Sequence, residues 1–394
     1  MKIPAGPAIA VLVTAIMVVA AELMLGWLAP FPDPYLAEKR IARYVPSAHL
    51  PDLAYGIEIE EGLPGVVPVH AGRVNQFSTD NFGFRGDELM VPKPANEVRV
   101  FVIGGSTTEN ISLDDTQDMS RLLQEILQET ERAGGSNRTW KVYNAGKSGD
   151  RSYDHLAMVS QRIAHLQPDV VVVFAGINDL FAGLFGVDYT HMAPLELSRG
   201  RMLRLLASES QLFRRAHAVA RRFARRSPIE IQQTIAFKTN YAEKARLQRS
   251  YPEVDETPPT NVPAYAQNLD SIAAVARAAG ARVVLMTQAT SWSAPADAEI
   301  VGWQWMRLRR SRTWSGAAMG AALELYNDAM REIAGEQQLA LVDLPTLVEP
   351  STRHFFDDCH FNVEGARTAA QALAPAVRQS LDAPAPIIDD GTER

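Results

Sequence analysis

Four consecutive valines at positions 170–173 are the feature that most constrains how this chain folds. Valine favours strands, and a strand without polar alternation must be covered on both faces, so the run indicates a buried strand of a parallel sheet. Short apolar runs of this kind alternate along the chain with segments of helical periodicity. The predicted strands are 98–103, 140–143, 169–174, 282–286 and 339–342, and the predicted helices are 118–133, 153–167, 264–279, 317–334 and 363–381.

Strands that alternate with helices predict a doubly wound, flavodoxin-like α/β fold. Its sheet would consist mainly of five parallel strands, with helices on both faces. The domain would cover residues 98–381, with insertions near 184–262 and 290–316 where the alternation stops. A chain of 394 residues is long enough for one such large domain.

The first 30 residues predict a transmembrane anchor. Residues 8–29 are apolar except for one charge, Glu22, and about 20 apolar residues span a bilayer as a helix. A cleaved signal peptide is the alternative, with an apolar core at 9–19 and small residues after it. The anchor is favoured because hydrophobicity resumes after Glu22. We expect a single-pass membrane protein whose main domain lies outside the cytoplasm, although few basic residues flank the span to set its direction.

The segments on either side of the α/β domain have a different composition. Residues 31–97 are rich in proline and glycine, which exclude long helices and predict a spacer that leads into irregular or β-rich structure. The tail, 382–394, is acidic and proline-rich, and is predicted to be disordered. The net charge of −7 provides no overall basic surface for nucleic acid, so we expect no such partner. Cys359 is the only cysteine, and no intrachain disulfide can form.

Each insertion has two interpretations. Residues 199–226 of the first contain nine arginines and one acidic residue, which is typical of a solvated amphipathic helix or of a surface that contacts anionic headgroups or an acidic polymer. The second contains Trp303, Trp305 and Trp314 beside several arginines. Its tryptophans are suited to stacking on a sugar or acyl chain, and equally to capping the core.

Residues able to support chemistry follow the predicted strands. In open α/β sheets, ligands bind outside the carboxyl ends of the strands. Ser106 follows the first strand after a glycine pair, and the sharp turn expected there suits glycine. Gly146 and Gly149 follow the second strand. Asn178 follows the third in a Gly-Ile-Asn-Asp sequence, and an Asp-Asp-Cys-His sequence at 357–360 follows the fifth.

Taken singly, these motifs are ambiguous. Asn178 alone is typical of a turn, and His360 alone of an ordinary surface or core histidine. The acidic residues, Cys359 and the histidines near 354–360 could suggest a metal site, but their spacing fits no common zinc pattern. No motif predicts a cofactor, because the glycine-rich turn lacks both the lysine of a P-loop and the spacing of a dinucleotide fingerprint.

Taken together, the motifs resemble the SGNH, or GDSL-like, hydrolase family. The resemblance covers roughly residues 97–381 outside the insertions. It implies that Ser106 is the nucleophile and that Asp357 and His360 complete a triad. It also implies that the backbone N–H of Ser106, the N–H of Gly149 and the side chain of Asn178 form the oxyanion hole, with Gly146 the less suitable glycine. The family's first motif is often Gly-Asp-Ser, whereas this chain has Gly-Gly-Ser.

The resemblance implies a serine esterase that acts on carboxylic esters through an acyl-serine intermediate, without a cofactor or a metal. Acetyl groups of an envelope carbohydrate are the predicted substrate. An O-acyltransferase or a lipid esterase would use the same triad, and a catalytically silent glycan-binding module is the alternative outside enzymology. Intact Ser106, Asp357 and His360 favour an enzyme. The sequence does not indicate the oligomeric state.

Overall fold

The structure is a computed structural model, which describes residues 5–29, 49–184, 207, 209–216, 235–292, 297–309 and 312–382. The chain divides into two compact units. The smaller comprises Met1–Val45 and Met192–Ser227, and the larger comprises Pro46–His191 and Pro228–Arg394. The predicted disordered tail at 383–394 and most of the arginine-rich segment at 199–226 lie outside the described residues.

The elements follow the predicted alternation. The strands among the described residues are β1 (Ala54–Glu58), β2 (Val74–Ser78), β3 (Glu97–Gly104), β4 (Thr139–Asn144), β5 (Val170–Phe174), β6 (Ile235–Lys238), β7 (Glu253–Val254), β8 (Arg282–Met286), β9 (Leu308–Arg309), β10 (Arg312–Trp314) and β11 (Ala340–Val342). The α-helices are α1 (Ala5–Leu28), α2 (Ser106–Glu109), α3 (Met119–Ala133), α4 (Ser152–Gln161), α5 (Ile177–Leu184), α6 (Tyr241–Arg249), α7 (Val262–Ala278), α8 (Ala298–Val301), α9 (Gly316–Glu336) and α10 (Val363–Asp382).

The central sheet of the larger unit has five parallel strands in the order β11-β8-β5-β3-β4. This confirms the predicted α/β fold with a five-stranded parallel sheet. The order is that of flavodoxin-like folds, in which the direction of winding reverses at one point. Here the reversal lies between β3 and β5, because the chain moves from β3 outward to β4 and then returns to the other side of β3.

Both faces of the sheet are covered, as the valine run requires. Val171 and Val173 belong to one apolar cluster with side chains of α4, α7 and α9. Val170 and Val172 belong to a second cluster with side chains of α3 and α10. All four valines are fully buried. Strand residues that alternate between two cores explain why β5 contains no polar position.

One predicted helix ends early. The segment 153–167 forms α4, which stops at Gln161, followed by a 3-10 turn at Ile163–Leu166. Gln167 has a left-handed backbone with φ 53° and precedes Pro168, a position where proline disfavours helical geometry. The division itself lies at Arg162, whose backbone (φ −132°, ψ −65°) is not helical, whereas Pro168 limits only the end of the 3-10 turn.

The predicted transmembrane span is not found. In the described part of the chain, no helix is both long enough and apolar enough to cross a membrane. The segment does form a helix, α1, but its one charged side chain has polar partners within the smaller unit. The Glu22 carboxylate accepts hydrogen bonds from the Ser210 hydroxyl (2.9 Å) and from the backbone N–H groups of Gln211 and Leu212. The sequence pattern did not reveal this contact, because its two sides are 188 residues apart.

The lead-in and the insertions add small sheets to the larger unit. β1 pairs antiparallel with β2 and parallel with β6, and β10 lies between β7 and β9. Ile57, Ile59 and Leu63 of the lead-in are buried in the second core cluster. Residues 49–97 therefore pack as part of the larger unit.

Replacing Phe101 with alanine tests the two-sided core. Phe101 is fully buried on β3 and stacks on Tyr143 at 5.2 Å between ring centroids. Removal of a buried phenyl group is expected to lower the free energy of unfolding by about 3–5 kcal/mol. Leu347→Ala is the control, because Leu347 is 49% exposed, and we expect a change within about 0.5 kcal/mol. Urea unfolding followed by circular dichroism measures both; equal losses would contradict this description of the core.

Candidate active site

Ser106 is the first residue of α2, directly beyond the carboxyl end of β3. The preceding glycines are required by close packing. A Cβ atom on Gly104 would lie 2.5 Å from the Phe174 carbonyl oxygen, and one on Gly105 would lie 2.3 Å from the Asn178 side-chain nitrogen. In this arrangement the Asn178 amide occupies the space that the aspartate of a Gly-Asp-Ser sequence would need at position 105.

The structure brings Ser106, His360 and Asp357 into one hydrogen-bonded line. The Ser106 Oγ lies 2.8 Å from the Nε2 of His360. The other ring nitrogen, Nδ1, lies 2.8 Å from Oδ2 and 2.9 Å from Oδ1 of Asp357. Ser106 and His360 are 254 residues apart in the chain. Nucleophile, base and orienting carboxylate are thus in the order that activates a serine hydroxyl.

The Asp357 carboxylate is fully buried but well supplied with donors. Its Oδ1 accepts the backbone N–H groups of Cys359 (3.0 Å) and His360 (2.9 Å). Burial disfavours its charge, but the facing imidazole and these N–H groups outweigh burial and hold the pKa of Asp357 below its usual range. Burial also acts to lower the pKa of His360, yet the charge of Asp357 outweighs it, and the pKa of His360 is raised.

A cavity of about 460 Å³ opens at this line of residues. Ser106, Gly149, Asn178 and His360 all contribute to its wall. Gly149 has φ +87°, and a Cβ there would meet no atom within 4 Å. Asn178 uses one amide hydrogen to bind the Asp150 carbonyl at 2.8 Å, and a side-chain amide carries two. Ser106, Gly149 and Asn178 thus line one cavity, and their role as an oxyanion hole stays a prediction.

Gly146, the less suitable glycine, does not belong to that wall. A Cβ at this position would lie 2.4 Å from the backbone nitrogen of Glu109. Its own N–H donates to the Asn144 side chain at 2.9 Å. Gly146 therefore serves close packing beneath the loop, whereas Gly149 faces the cavity.

Asp358 has a different task from its neighbour Asp357. Its side chain accepts hydrogen bonds from the indole N–H of Trp292 (2.7 Å) and from the backbone N–H groups of Trp305 (2.6 Å) and Met306 (2.9 Å). Burial, with the charge of Asp357, raises the pKa of Asp358 to about 6. Asp358 thus fastens the second insertion to the loop that carries His360.

Trp305 is a site residue that the sequence did not assign. Its indole N–H donates to Oδ2 of Asp357 at 2.9 Å, and its side chain lines the cavity. Trp314, by contrast, is buried in the first core cluster. One tryptophan of the second insertion, Trp305, thus lies at the cavity, and another, Trp314, packs in the core. The sequence shows an aromatic insertion, but only the fold shows that one ring reaches a carboxylate 52 residues away.

Glu109 is a second residue that the sequence did not single out. It lies on α2, one turn after Ser106, and is buried. Its carboxylate accepts the N–H of Ser148 at 2.8 Å as well as the Ser148 hydroxyl, and lies 2.6 Å from His49. This links the helix of Ser106 to the loop that carries Gly149.

Asp357, Cys359 and His360 offer possible ligand atoms within 4.8 Å of one another. Those of Asp357 and His360 already serve the hydrogen bonds described above, and the imidazole uses both of its nitrogens. Burial raises the pKa of the Cys359 thiol well above its usual range, so this sulfur is not a thiolate. The arrangement suits proton transfer at Ser106 better than metal ligation.

The site's features agree with a family model of GDSL-like lipases and acylhydrolases, which matches residues 102–368, more than half of the chain. The chain belongs to this family. It is therefore a hydrolase of ester bonds, as the motifs predicted. No protein of curated function matches the sequence significantly.

Several solved structures resemble this family member at low identity. An acetylxylan esterase from Geobacillus stearothermophilus is 14% identical, covering 75% of this chain and 98% of its own, with a TM-score of 0.39. An α/β hydrolase from the metagenome of Lake Arreo is 17% identical (71% and 95% covered, TM-score 0.39). A GDSL-like lipase from Bacteroides thetaiotaomicron is 15% identical (74% and 92% covered, TM-score 0.35). Similarities of this size do not identify a substrate.

Trp305→Phe tests the contact between the second insertion and Asp357. The variant keeps an aromatic ring but removes the N–H that donates to the carboxylate. The lost donor leaves the carboxylate that orients His360 less firmly held, so we expect kcat on a short aryl ester to fall about tenfold. Trp314→Phe is the matched control and should retain kcat, because Trp314 lies in the core. Equal kcat for wild type and Trp305→Phe would show that the contact is unimportant.

Proposed function

We propose that this protein is a serine esterase that hydrolyses small carboxylic esters through an acyl-serine intermediate. The observation that carries the proposal is the 2.8 Å separation of the Ser106 Oγ and the His360 Nε2, with the opposite ring nitrogen held by Asp357. A hydroxyl that hydrogen-bonds to an oriented imidazole is the arrangement needed for nucleophilic attack.

In the first half of the reaction, His360 removes the proton of Ser106 as its oxygen attacks the ester carbonyl carbon. The carbonyl oxygen becomes negatively charged and accepts hydrogen bonds from the N–H groups of Ser106 and Gly149 and from the side chain of Asn178. One such donor contributes roughly 3 kcal/mol to the transition state. The protonated His360 then gives its proton to the leaving alcohol, and the acyl group remains on Ser106.

In the second half, water takes the place of the alcohol. His360 removes a proton from the water, which attacks the acyl-serine, and the proton returns to the Ser106 oxygen as the acid leaves. Asp357 keeps its charge throughout, holding the ring in the tautomer with a free Nε2 and stabilising the imidazolium. Its lowered pKa supports this role.

Acetyl groups on a carbohydrate are the substrate class that we propose to test first. The cavity volume, about 460 Å³, falls in the range of small-molecule sites. A sugar hydroxyl in place of water would make the enzyme an O-acyltransferase, and a lipid ester is the other candidate. Parallel assays on short aryl esters, acetylated oligosaccharides and long-chain esters, with and without an added sugar acceptor, separate these. Location outside the cytoplasm stays a prediction.

A fluorophosphonate probe tests the nucleophile directly. The probe forms a covalent bond only with an activated serine, so we expect stoichiometric labelling of the wild-type protein and none of Ser106→Ala. Ser112→Ala is a suitable control, because Ser112 lines the same cavity but has no histidine partner among the described residues. Intact-mass spectrometry measures the adduct. A wild-type protein that takes up no probe, or a Ser106→Ala variant that is labelled equally, would favour the silent binding module.

The pH dependence of kcat/KM tests the base. His360 must be neutral to accept a proton, and its pKa is raised above the ordinary 6.5 by Asp357. Activity is therefore expected to rise with pH and to reach half its plateau above pH 6.5. Asp357→Asn should lower that midpoint and reduce kcat about 10³–10⁴-fold. A wild-type midpoint well below pH 6.5 would contradict an ionised Asp357 beside the ring.

A further inference from the structure

We propose that the cavity selects esters that carry a carboxylate, and that Lys244 is the residue that recognises it. The proposal deepens the proposed esterase function and rests on it. The first observation is the charge of the cavity wall. Among the described residues that line it, Lys244 and Arg151 carry basic side chains, and none is Asp or Glu. This imbalance is local, because the chain as a whole has a net charge of −7.

Arg151 and Lys244 differ in the partners that surround their charges. The Nε of Arg151 lies 3.5 Å from a carboxylate oxygen of Asp154 on the first turn of α4. Asp357 and Glu60 attract the Lys244 ammonium through space, but neither they nor any other carboxylate of the described residues forms an ion pair with it. Its ammonium instead lies over two aromatic rings, 4.2 Å from the ring centroid of Trp305 and 5.2 Å from that of Tyr241. Among the described residues, Lys244 is therefore the cation of this wall without a carboxylate in direct contact.

The nearest catalytic carboxylate does not serve as its partner. Asp357 is fully buried, and both of its oxygens already accept hydrogen bonds, one of them from the indole N–H of Trp305. The N–H at the edge of the Trp305 indole thus binds Asp357, while the Lys244 ammonium lies over the face of the same ring. A covered indole face offers little room for a neutral sugar to stack on, and presents positive charge instead.

The kind of anion follows from the chemistry of the cation. A lysine ammonium is a compact point charge of +1, whereas the planar fork of arginine pairs with carboxylate and phosphate alike. A single ammonium suits a singly charged carboxylate better than a phosphate dianion. Burial lowers the pKa of Lys244, which means that its charge is incompletely solvated in the unliganded cavity. A bound carboxylate would compensate that loss, and the partly enclosed position makes the attraction stronger than at the surface.

Lys244 is also placed where it could position a substrate for attack by Ser106. Lys244 comes from α6 in the first insertion, while Ser106 and His360 come from the sheet edge and the final loop, yet all three line one cavity. A carboxylate held by Lys244 would therefore position an attached ester in the same cavity as the nucleophile. The insertion thereby supplies substrate choice without contributing to the triad.

The experiment compares pairs of esters that differ only in charge. One pair has the carboxylate in the alcohol part, 4-acetoxybenzoate against 4-acetoxybenzamide. The other has it in the acyl part, 4-nitrophenyl hemiglutarate against 4-nitrophenyl pentanoate. We expect wild-type kcat/KM to favour the charged member of at least one pair by about tenfold. Lys244→Met should reduce that ratio about tenfold, and Lys244→Arg should retain most of it. Added salt should lower the ratio for the wild type, because screening weakens exposed charge interactions.

Arg246→Met is the matched control, since it removes one positive charge from the same helix at an exposed position outside the cavity wall. Its charged-to-neutral ratio should equal that of the wild type. The inference is overturned if no pair shows a preference for the charged member, or if Lys244→Met and Arg246→Met change the ratio equally. Labelling of Ser106 by the fluorophosphonate probe separates the two levels: a labelled enzyme without charge preference refutes only the inference, whereas an unlabelled protein that hydrolyses no ester refutes the proposed function.

Discussion

The buried charge of Asp357 is the interaction on which the site depends. A carboxylate removed from water must be compensated by donors, and here they come from two separate parts of the chain, its own loop and the second insertion. The loop itself supplies the N–H groups of Cys359 and His360, the base supplies its ring, and the second insertion supplies the indole of Trp305. The Asp357 carboxylate thus orders the base, the loop and part of the cavity wall. Loss of any one donor would leave this buried charge less well compensated.

The parallel sheet provides the frame in which this charge is useful. Strands that run in one direction end at one edge, and the winding reverses between β3 and β5. The chain leaves β3 to form Ser106 and leaves β5 to form Asn178, so the two lie on either side of the reversal. The chain packs closely around these two residues. A side chain on Gly105 would overlap the Asn178 amide as it is placed here. The glycine at this position thus leaves room for the Asn178 amide next to Ser106.

The insertions distinguish this enzyme from a minimal hydrolase domain. Asp358 binds the second insertion through Trp292, Trp305 and Met306, next to the residue that orients the base. The first insertion contributes α6, whose Lys244 covers the ring of Trp305. Catalytic geometry and the proposed charge selection therefore meet at a single tryptophan. Substitutions in these insertions are therefore expected to change the geometry of the triad as well as the choice of substrate.

Much of the fold was determined by the sequence, because it depends on periodicity and on order along the chain. The apolar runs identified all five strands of the central sheet, and the positions of Ser106, Asn178, Asp357 and His360 after those strands indicated one shared edge. Local breaks in the backbone were less visible, as at Arg162, where α4 ends and a 3-10 turn begins although the apolar pattern continues to 167. At the N-terminus, likewise, the apolar pattern does not show the polar partners of Glu22.

Only the tertiary structure decided which residues surround the triad. It placed Gly149 rather than Gly146 at the cavity, brought Trp305 to Asp357 and Glu109 to the Gly149 loop, and left Lys244 over two rings without a carboxylate partner among the described residues. These contacts join side chains tens of residues apart whose neighbours in sequence carry no shared pattern. Hydrophobic periodicity specifies which face of an element is buried, but the donors that meet a buried charge are specified only once several elements have packed around it.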